Sequence, residues 1–121
     1  MSVCKRVLAR LDIKGSKLIK GVRFEGVRVI GNAYEVAKKY ANLGVDEIFY
    51  SDAVASLYGR NSLYDLLKLT CRDVFVPITA GGAINSIEDG RKLLASGADK
   101  LAVNTGAIRN PNLINDLANE F

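Results

Sequence analysis

Gly44-Val45-Asp46-Glu47-Ile48 and Gly97-Ala98-Asp99-Lys100-Leu101 carry one pattern twice, at an offset of 53 residues from Gly44 to Gly97. Each copy runs glycine, small apolar residue, aspartate, charged residue, large apolar residue. Glycine suits the position after a last helical turn. The apolar residues that follow suit the entry to a buried strand. The offset has room for two βα units, so the repeat predicts β-α-β-α duplication in a parallel sheet with right-handed crossovers.

Working outward, Lys5 to Ile13, Glu47 to Asp52, Val76 to Gly82 and Lys100 to Thr105 are expected to be strands. Ala33, Val36, Ala37, Tyr40 and Ala41 lie at helical spacing, with Asn32 as N-cap and Gly44 beyond the end. Ser62 to Cys71 is a second predicted helix. A third is capped by Ser86, runs to Ser96 and is ended by Gly97. Asn110-Pro111 is expected to start the last one, with Asn as cap and Pro in the first turn, and Leu113, Ile114, Leu117, Ala118 and Phe121 form its core stripe. Residues 14–32 are a long connection bearing glycine and lysine, with a short hairpin expected around Lys17 to Val22.

Four βα units fit either a small open sheet or half of a closed barrel. A nucleotide-binding open sheet needs a phosphate fingerprint after its first strand. Here that strand ends Asp12-Ile13-Lys14-Gly15-Ser16, which is neither a dinucleotide nor a Walker loop. The pattern therefore favours, over a small open sheet, an α/β chain that is half of a (β/α)8 TIM barrel, four parallel βα units forming one domain over residues 1–121.

Composition narrows the chemistry. Apolar residues at 49% and charged residues at 25% match a globular chain rather than a disordered one. No apolar run approaches the roughly 18 residues of a membrane span, and Met1-Ser2-Val3-Cys4-Lys5-Arg6 does not lead into a signal-peptide core. A cytoplasmic protein without membrane contact is expected. Cys4 and Cys71 lack metal-site spacing and are expected to be buried small groups. The chain has no histidine, which rules out imidazole catalysis and histidine-ligated metals within it; no metal or cofactor is expected. The net charge is +4, yet the one local basic cluster, Lys14, Lys17, Lys20, Arg23 and Arg28, lies in a single connection. It suits a small polyanion such as a sugar phosphate better than nucleic acid.

In parallel α/β folds reactive groups gather at the C-terminal ends of strands. Those ends are Asp12, Asp52, Thr79-Ala80-Gly81-Gly82 and Asn104-Thr105-Gly106. A partly desolvated Asp12 suits a general acid or base; the plainer alternative is a loop cap. Asp52 suits substrate hydroxyls, or an ion pair with a loop lysine. Gly81 and Gly82 allow backbone N–H groups to approach an oxyanion, and Asn104 and Thr105 add donors; a diglycine is otherwise a turn. Lys20 belongs either to a loop that closes over substrate or to a solvated surface. Arg6, Glu47 and Lys100 open three strands with alternating sign and are expected to meet in the barrel floor, or to lie on the surface.

These segments resemble a known family. Leu11-Asp12-Ile13-Lys14, Lys20-Gly21-Val22-Arg23-Phe24, Asp46-Glu47 leading to Asp52, Ala55-Ser56, Gly59-Arg60, Thr79-Ala80-Gly81-Gly82-Ala83-Ile84, Gly97-Ala98-Asp99-Lys100, Val103-Asn104-Thr105 and Asn110-Pro111 are similar, in order, to the cyclase subunit of imidazole glycerol phosphate synthase, the HisF family. The resemblance implies a (β/α)8 barrel that receives ammonia from a glutaminase subunit through its axis. It implies a bis-phosphorylated ribulosyl substrate that is cyclised and cleaved in histidine biosynthesis. Asp12 would be one of two catalytic aspartates, Lys20 part of the loop, and Gly82, Asn104 and Thr105 a phosphate site. Arg6, Glu47 and Lys100 would be three of four residues at the ammonia entrance, with Asp99 near the glutaminase. The second aspartate and second phosphate site would fall after Phe121, so this half alone is expected to be incomplete, either part of a longer barrel or self-associating. Lys14-Gly15-Ser16 and Ala83 differ from the family pattern. Two other readings stay open: a paralogous cyclase that amidates sugars for surface polysaccharide, and a non-catalytic half barrel that binds phosphates.

Overall fold

A computed structural model describes residues 5–14, 17–22, 26–52, 61–82, 84–103 and 110–121. Strands β1 (Leu8–Lys14), β2 (Lys17–Val22) and β3 (Gly26–Asn32) precede helix α1 (Ala33–Asn42). Then β4 (Glu47–Asp52), α2 (Asn61–Asp73), β5 (Ile78–Gly81), α3 (Ile87–Ser96), β6 (Lys100–Ala102) and α4 (Asn112–Glu120) alternate. One sheet holds all six strands in the order β3-β2-β1-β4-β5-β6. β1, β4, β5 and β6 are parallel neighbours, and the β2–β3 hairpin attaches antiparallel to the top of β1.

Side-chain alternation shows which way this sheet is wound. Leu11 and Ile13 of β1, Ile48 and Tyr50 of β4, and Ile78 and Ala80 of β5 are buried. They form one cluster with Ala33, Ala37, Leu63, Leu66, Leu67, Leu93, Leu113 and Leu117 from the helices. Residues of opposite parity, such as Arg10, Asp12 and Lys14, are exposed. Successive strand residues point to opposite faces, so the helices among the described residues cover one face only. A doubly wound open sheet carries helices on both. Helices outside and an inner face that none of the described helices covers are what four consecutive units of a barrel produce.

The repeated pentad has a structural reason. Asp46 accepts a hydrogen bond from Val7 N–H at 2.7 Å, and its own N–H donates to Val7 C=O at 2.9 Å. Asp99 does the same one unit pair later: it accepts from Ile78 N–H at 2.8 Å and donates to Ile78 C=O at 2.7 Å. Each aspartate clasps the start of the preceding parallel strand and sets the stagger of its own. Gly44 and Gly97 turn the chain at φ 99° and 128°, where a side chain is strained.

Two of the three sequence-read caps form. Asn32 Oδ1 accepts from Glu35 N–H at 3.0 Å and Ser86 Oγ from Asp89 N–H at 3.2 Å. Three expectations are corrected. No side-chain cap starts α4; Pro111 already has helical angles, φ −59° and ψ −26°, and the helix proper begins at Asn112. Cys71 is exposed on α2 rather than buried, because the buried stripe of that helix runs through Leu63, Leu66, Leu67, Thr70 and Val74. The hairpin is longer than Lys17 to Val22, since residues 26–32 pair back along it. The hairpin also covers the upper part of the outer edge of β1, where Ile13 and Lys14 pair with Leu18 and Lys17. Cys4 lies outside the described residues.

Candidate functional site

The inner face carries two charged layers. At the strand entrances Glu47 Oε1 accepts from Lys100 Nζ at 2.9 Å and pairs with Arg6 Nη1 at 3.5 Å. Glu47 is the most covered of the three, with its side chain 15% exposed. The Lys100 hydrogen bond, reinforced by the charges of Lys100 and Arg6 against the cost of partial burial, holds its carboxyl below the ordinary value. Glu47 and Lys100, which open β4 and β6, and Arg6, two residues before β1, thus meet in one floor.

At the strand exits the register aligns Asp12 with Ser51, Ser51 with Gly81, and Gly81 with Ala102. Asp12 and Gly81 therefore share one row, two strands or roughly 10 Å apart. Gly82 follows at once, with φ 145°. About 13 Å of strand separates Glu47 from this row, at the usual rise of ~3.3 Å per residue. A small molecule at the upper row would be joined to the floor by the bare inner face.

The Asp12 carboxylate is half exposed and bonded, not desolvated: Oδ1 accepts from Arg10 Nε at 3.2 Å. The Arg10 guanidinium lies over the Phe49 ring, 5.6 Å from its centroid. Phe49 is the register partner of Arg10 on β4. Its ring in turn occupies the space above Gly81, where an added Cβ would come within 3.3 Å of Phe49 Cε1 and 3.0 Å of Ala102 Cβ. Gly81 therefore makes room for an aromatic ring as well as lying next to Gly82.

Of the residues singled out in the sequence, Asp12, Gly81 and Gly82 come together at the exit row, and Arg6, Glu47 and Lys100 at the floor. Asp52 does not join them. It lies on the helix-facing side of β4 with Ile48 and Tyr50 and is 8% exposed. The expectation that Asp52 offers itself to substrate hydroxyls at the strand ends is corrected accordingly. Lys20 lies in β2, opposite Arg28 of β3. Asn104 and Thr105 lie outside the described residues, as do Arg23, Ala55, Ser56, Gly59, Arg60 and Ala83. Asp99 is occupied as a strand clasp. Arg10 and Phe49 were not singled out. Their signal was parity, since Arg10 is two residues before Asp12 on the same face.

Residues 6–121 match the family described as histidine biosynthesis protein. An imidazole glycerol phosphate synthase subunit HisF of Legionella pneumophila is 56% identical over 116 residues, covering 96% of this chain and 55% of that protein. The HisF subunit of Dictyoglomus turgidum is 46% identical over 119 residues, 98% of this chain and 47% of its own. That of Thermobifida fusca is 42% identical over 121 residues, again 47% of its length. The chain spans about half the length of the curated relatives it matches.

Proposed function

The chain belongs to the histidine biosynthesis protein family, and on that premise we propose that it supplies the first four βα units of the cyclase subunit of imidazole glycerol phosphate synthase. The observation that supports this most is the pairing of two layers on one inner face. Asp12 shares the exit row with the diglycine, and Arg6, Glu47 and Lys100 form a floor at the other end. Ammonia delivered by a glutaminase subunit would enter past Glu47 and travel up the inner face. Asp12 would move protons in the cyclisation and cleavage of a bis-phosphorylated ribulosyl intermediate. Gly82, with Asn104 and Thr105, would hold one phosphate through N–H and side-chain donors, and Lys20 would add charge from the hairpin. Asp52, on the other face, serves the fold rather than the substrate in this reading. The compartment is the cytoplasm; among the described residues no helix is long and apolar enough to cross a membrane.

The test uses the protein that contains this chain, with ammonium salt as nitrogen donor, and follows consumption of the ribulosyl intermediate. Asp12→Asn should lower kcat by about 10²–10⁴ through loss of acid–base help, with little change in KM. Turnover equal to wild type would refute the assignment.

The same reading covers assembly. β6 ends the sheet, and beside it Leu94, Leu101, Val103, Ile114, Leu117 and Phe121 line a groove of about 540 Å³. Open edges and apolar grooves favour association. Further βα units would cover this face in a whole barrel, and a second copy would cover it when residues 1–121 stand alone. Sedimentation of that chain as a stable monomer at micromolar concentration would count against this.

A further inference from the structure

Four residues on three neighbouring strands touch in series across the inner face. Gly81 of β5 leaves the space that the Phe49 ring of β4 fills. The ring carries the Arg10 guanidinium of β1 at 5.6 Å. Arg10 Nε donates to Asp12 Oδ1 at 3.2 Å. We propose that Arg10 is a positioning residue for Asp12, itself held in place by Phe49 and Gly81. The proposal rests on the reading of Asp12 as the proton-transferring group.

Each link has a physical basis. An arginine side chain on an open sheet samples many rotamers, and an exposed ion pair alone restrains it little. Stacking on an aromatic face restrains the guanidinium plane, and the planar fork then fixes its hydrogen-bond directions. The Phe49 ring packs over Gly81, where an added Cβ would lie 3.3 Å from its Cε1, and it sits opposite Arg10 in the parallel register. The guanidinium is thus fixed by its face as well as by its edge. With Oδ1 engaged by Nε, the carboxylate is oriented. Among the described residues Oδ2 has no protein partner, and it is the oxygen left to exchange a proton with substrate. Acid–base groups work through such orientation, and displacement of about 1 Å can cost about 100-fold in rate. Lysine at position 10 would keep the charge and lose both the fork and most of the stack.

The experiment measures kcat and KM with ammonium salt for wild type, Arg10→Gln, Arg10→Lys, Phe49→Leu, Asp12→Asn and the Arg10→Gln/Phe49→Leu and Arg10→Gln/Asp12→Asn doubles. It also records the ¹⁵Nε–¹Hε signal of Arg10. Arg10→Gln should lower kcat about 10- to 100-fold with KM within about threefold, and Arg10→Lys should recover only part. Phe49→Leu should lower kcat less, and the first double should match Arg10→Gln, since a broken series cannot be broken twice. In the Asp12→Asn background Arg10→Gln should have no further effect. The Arg10 signal should move in Phe49→Leu and in Asp12→Asn. All positions but Phe49 are well exposed, and circular dichroism confirms that each variant is folded. Unchanged kcat in Arg10→Gln while Asp12→Asn is impaired would overturn this proposal and leave the function standing. Unimpaired Asp12→Asn would overturn the function itself. Equal activity of Arg10→Lys and wild type, additive doubles, or an Arg10 signal unmoved by Phe49→Leu would each refute the series.

Discussion

Thr70→Val should expose the hidden polar contact that pins β4 to α2. Tyr50 and Thr70 are fully buried, and their hydroxyl oxygens are 2.8 Å apart. Thr70 Oγ1 donates its one proton to Leu66 C=O at 2.7 Å, so the Tyr50 hydroxyl is the donor in the pair. Thr70→Val keeps the shape but leaves the Tyr50 hydroxyl buried with no partner, at a cost of about 1–3 kcal/mol. Tyr50→Phe removes a donor and leaves Thr70 still bonded to Leu66, at a cost of about 1 kcal/mol. The double variant removes both partners and should be no less stable than Thr70→Val alone. pH gives a second measure. Burial pushes the Tyr50 phenol up from 10.0 to about 12. Below pH 10 both folded and unfolded chains hold the proton, and the fold keeps its full stability. Between the two values the unfolded chain releases the proton while the fold retains it, and stability falls by about 1.4 kcal/mol per pH unit. The Tyr50→Phe deficit at neutral pH should therefore vanish near about pH 11, since the variant lacks this loss. Urea unfolding followed at 222 nm, at neutral pH and through the alkaline range, measures both. Strictly additive singles, or equal alkaline sensitivity of wild type and Tyr50→Phe, would refute the reasoning.

Glu47 should contribute to acid sensitivity with the opposite sign. Its folded carboxyl is held below the ordinary 4.5, chiefly by the Lys100 bond. Its stabilisation is complete above that value and is lost as pH falls through the folded one; Glu47→Gln should lack this part of the acid transition in thermal melts. Gly90→Ala probes the α3–α4 seam. An added Cβ would lie 2.9 Å from Leu101 Cδ1 and 3.0 Å from Leu117 Cδ2. Both contacts are terminal methyls of leucines that border the groove beside β6 and can turn into it, so the helix gain of about 1 kcal/mol should prevail and Tm should rise; a fall would show that the two leucines are held in place.

Much of this architecture was legible because its signals are local. The Asn32 and Ser86 caps are side chains bonding to backbone three residues on, and β4 has the bounds read for it. What escaped was the facing of residues. In Glu47–Asp52 apolar residues fall on both faces, since Ile48 and Tyr50 enter the core while Phe49 carries Arg10. With no alternation to read, the face of Asp52 could not be assigned. Arg10 escaped because it was absorbed into a strand read as apolar. Asn110 was read as a cap from its type alone, whereas its carbonyl, not its side chain, receives Leu113 N–H at 3.0 Å. The floor was the easier layer, because unlike charges at three strand entrances have few other reasons to coincide.

The Asp46 and Asp99 clasps bear on how tall the chamber can be. Strand slippage comes in steps of two residues if facing is to survive, and each step is close to 7 Å. Were Asp99 to engage a residue two places along β5, Lys100 would be carried beyond reach of Glu47, and Ala102 would no longer lie level with Gly81. The two carboxylates thus act as a vernier, and the height between the Arg6–Glu47–Lys100 layer and the Asp12–Gly81 row is fixed by them although neither belongs to either layer.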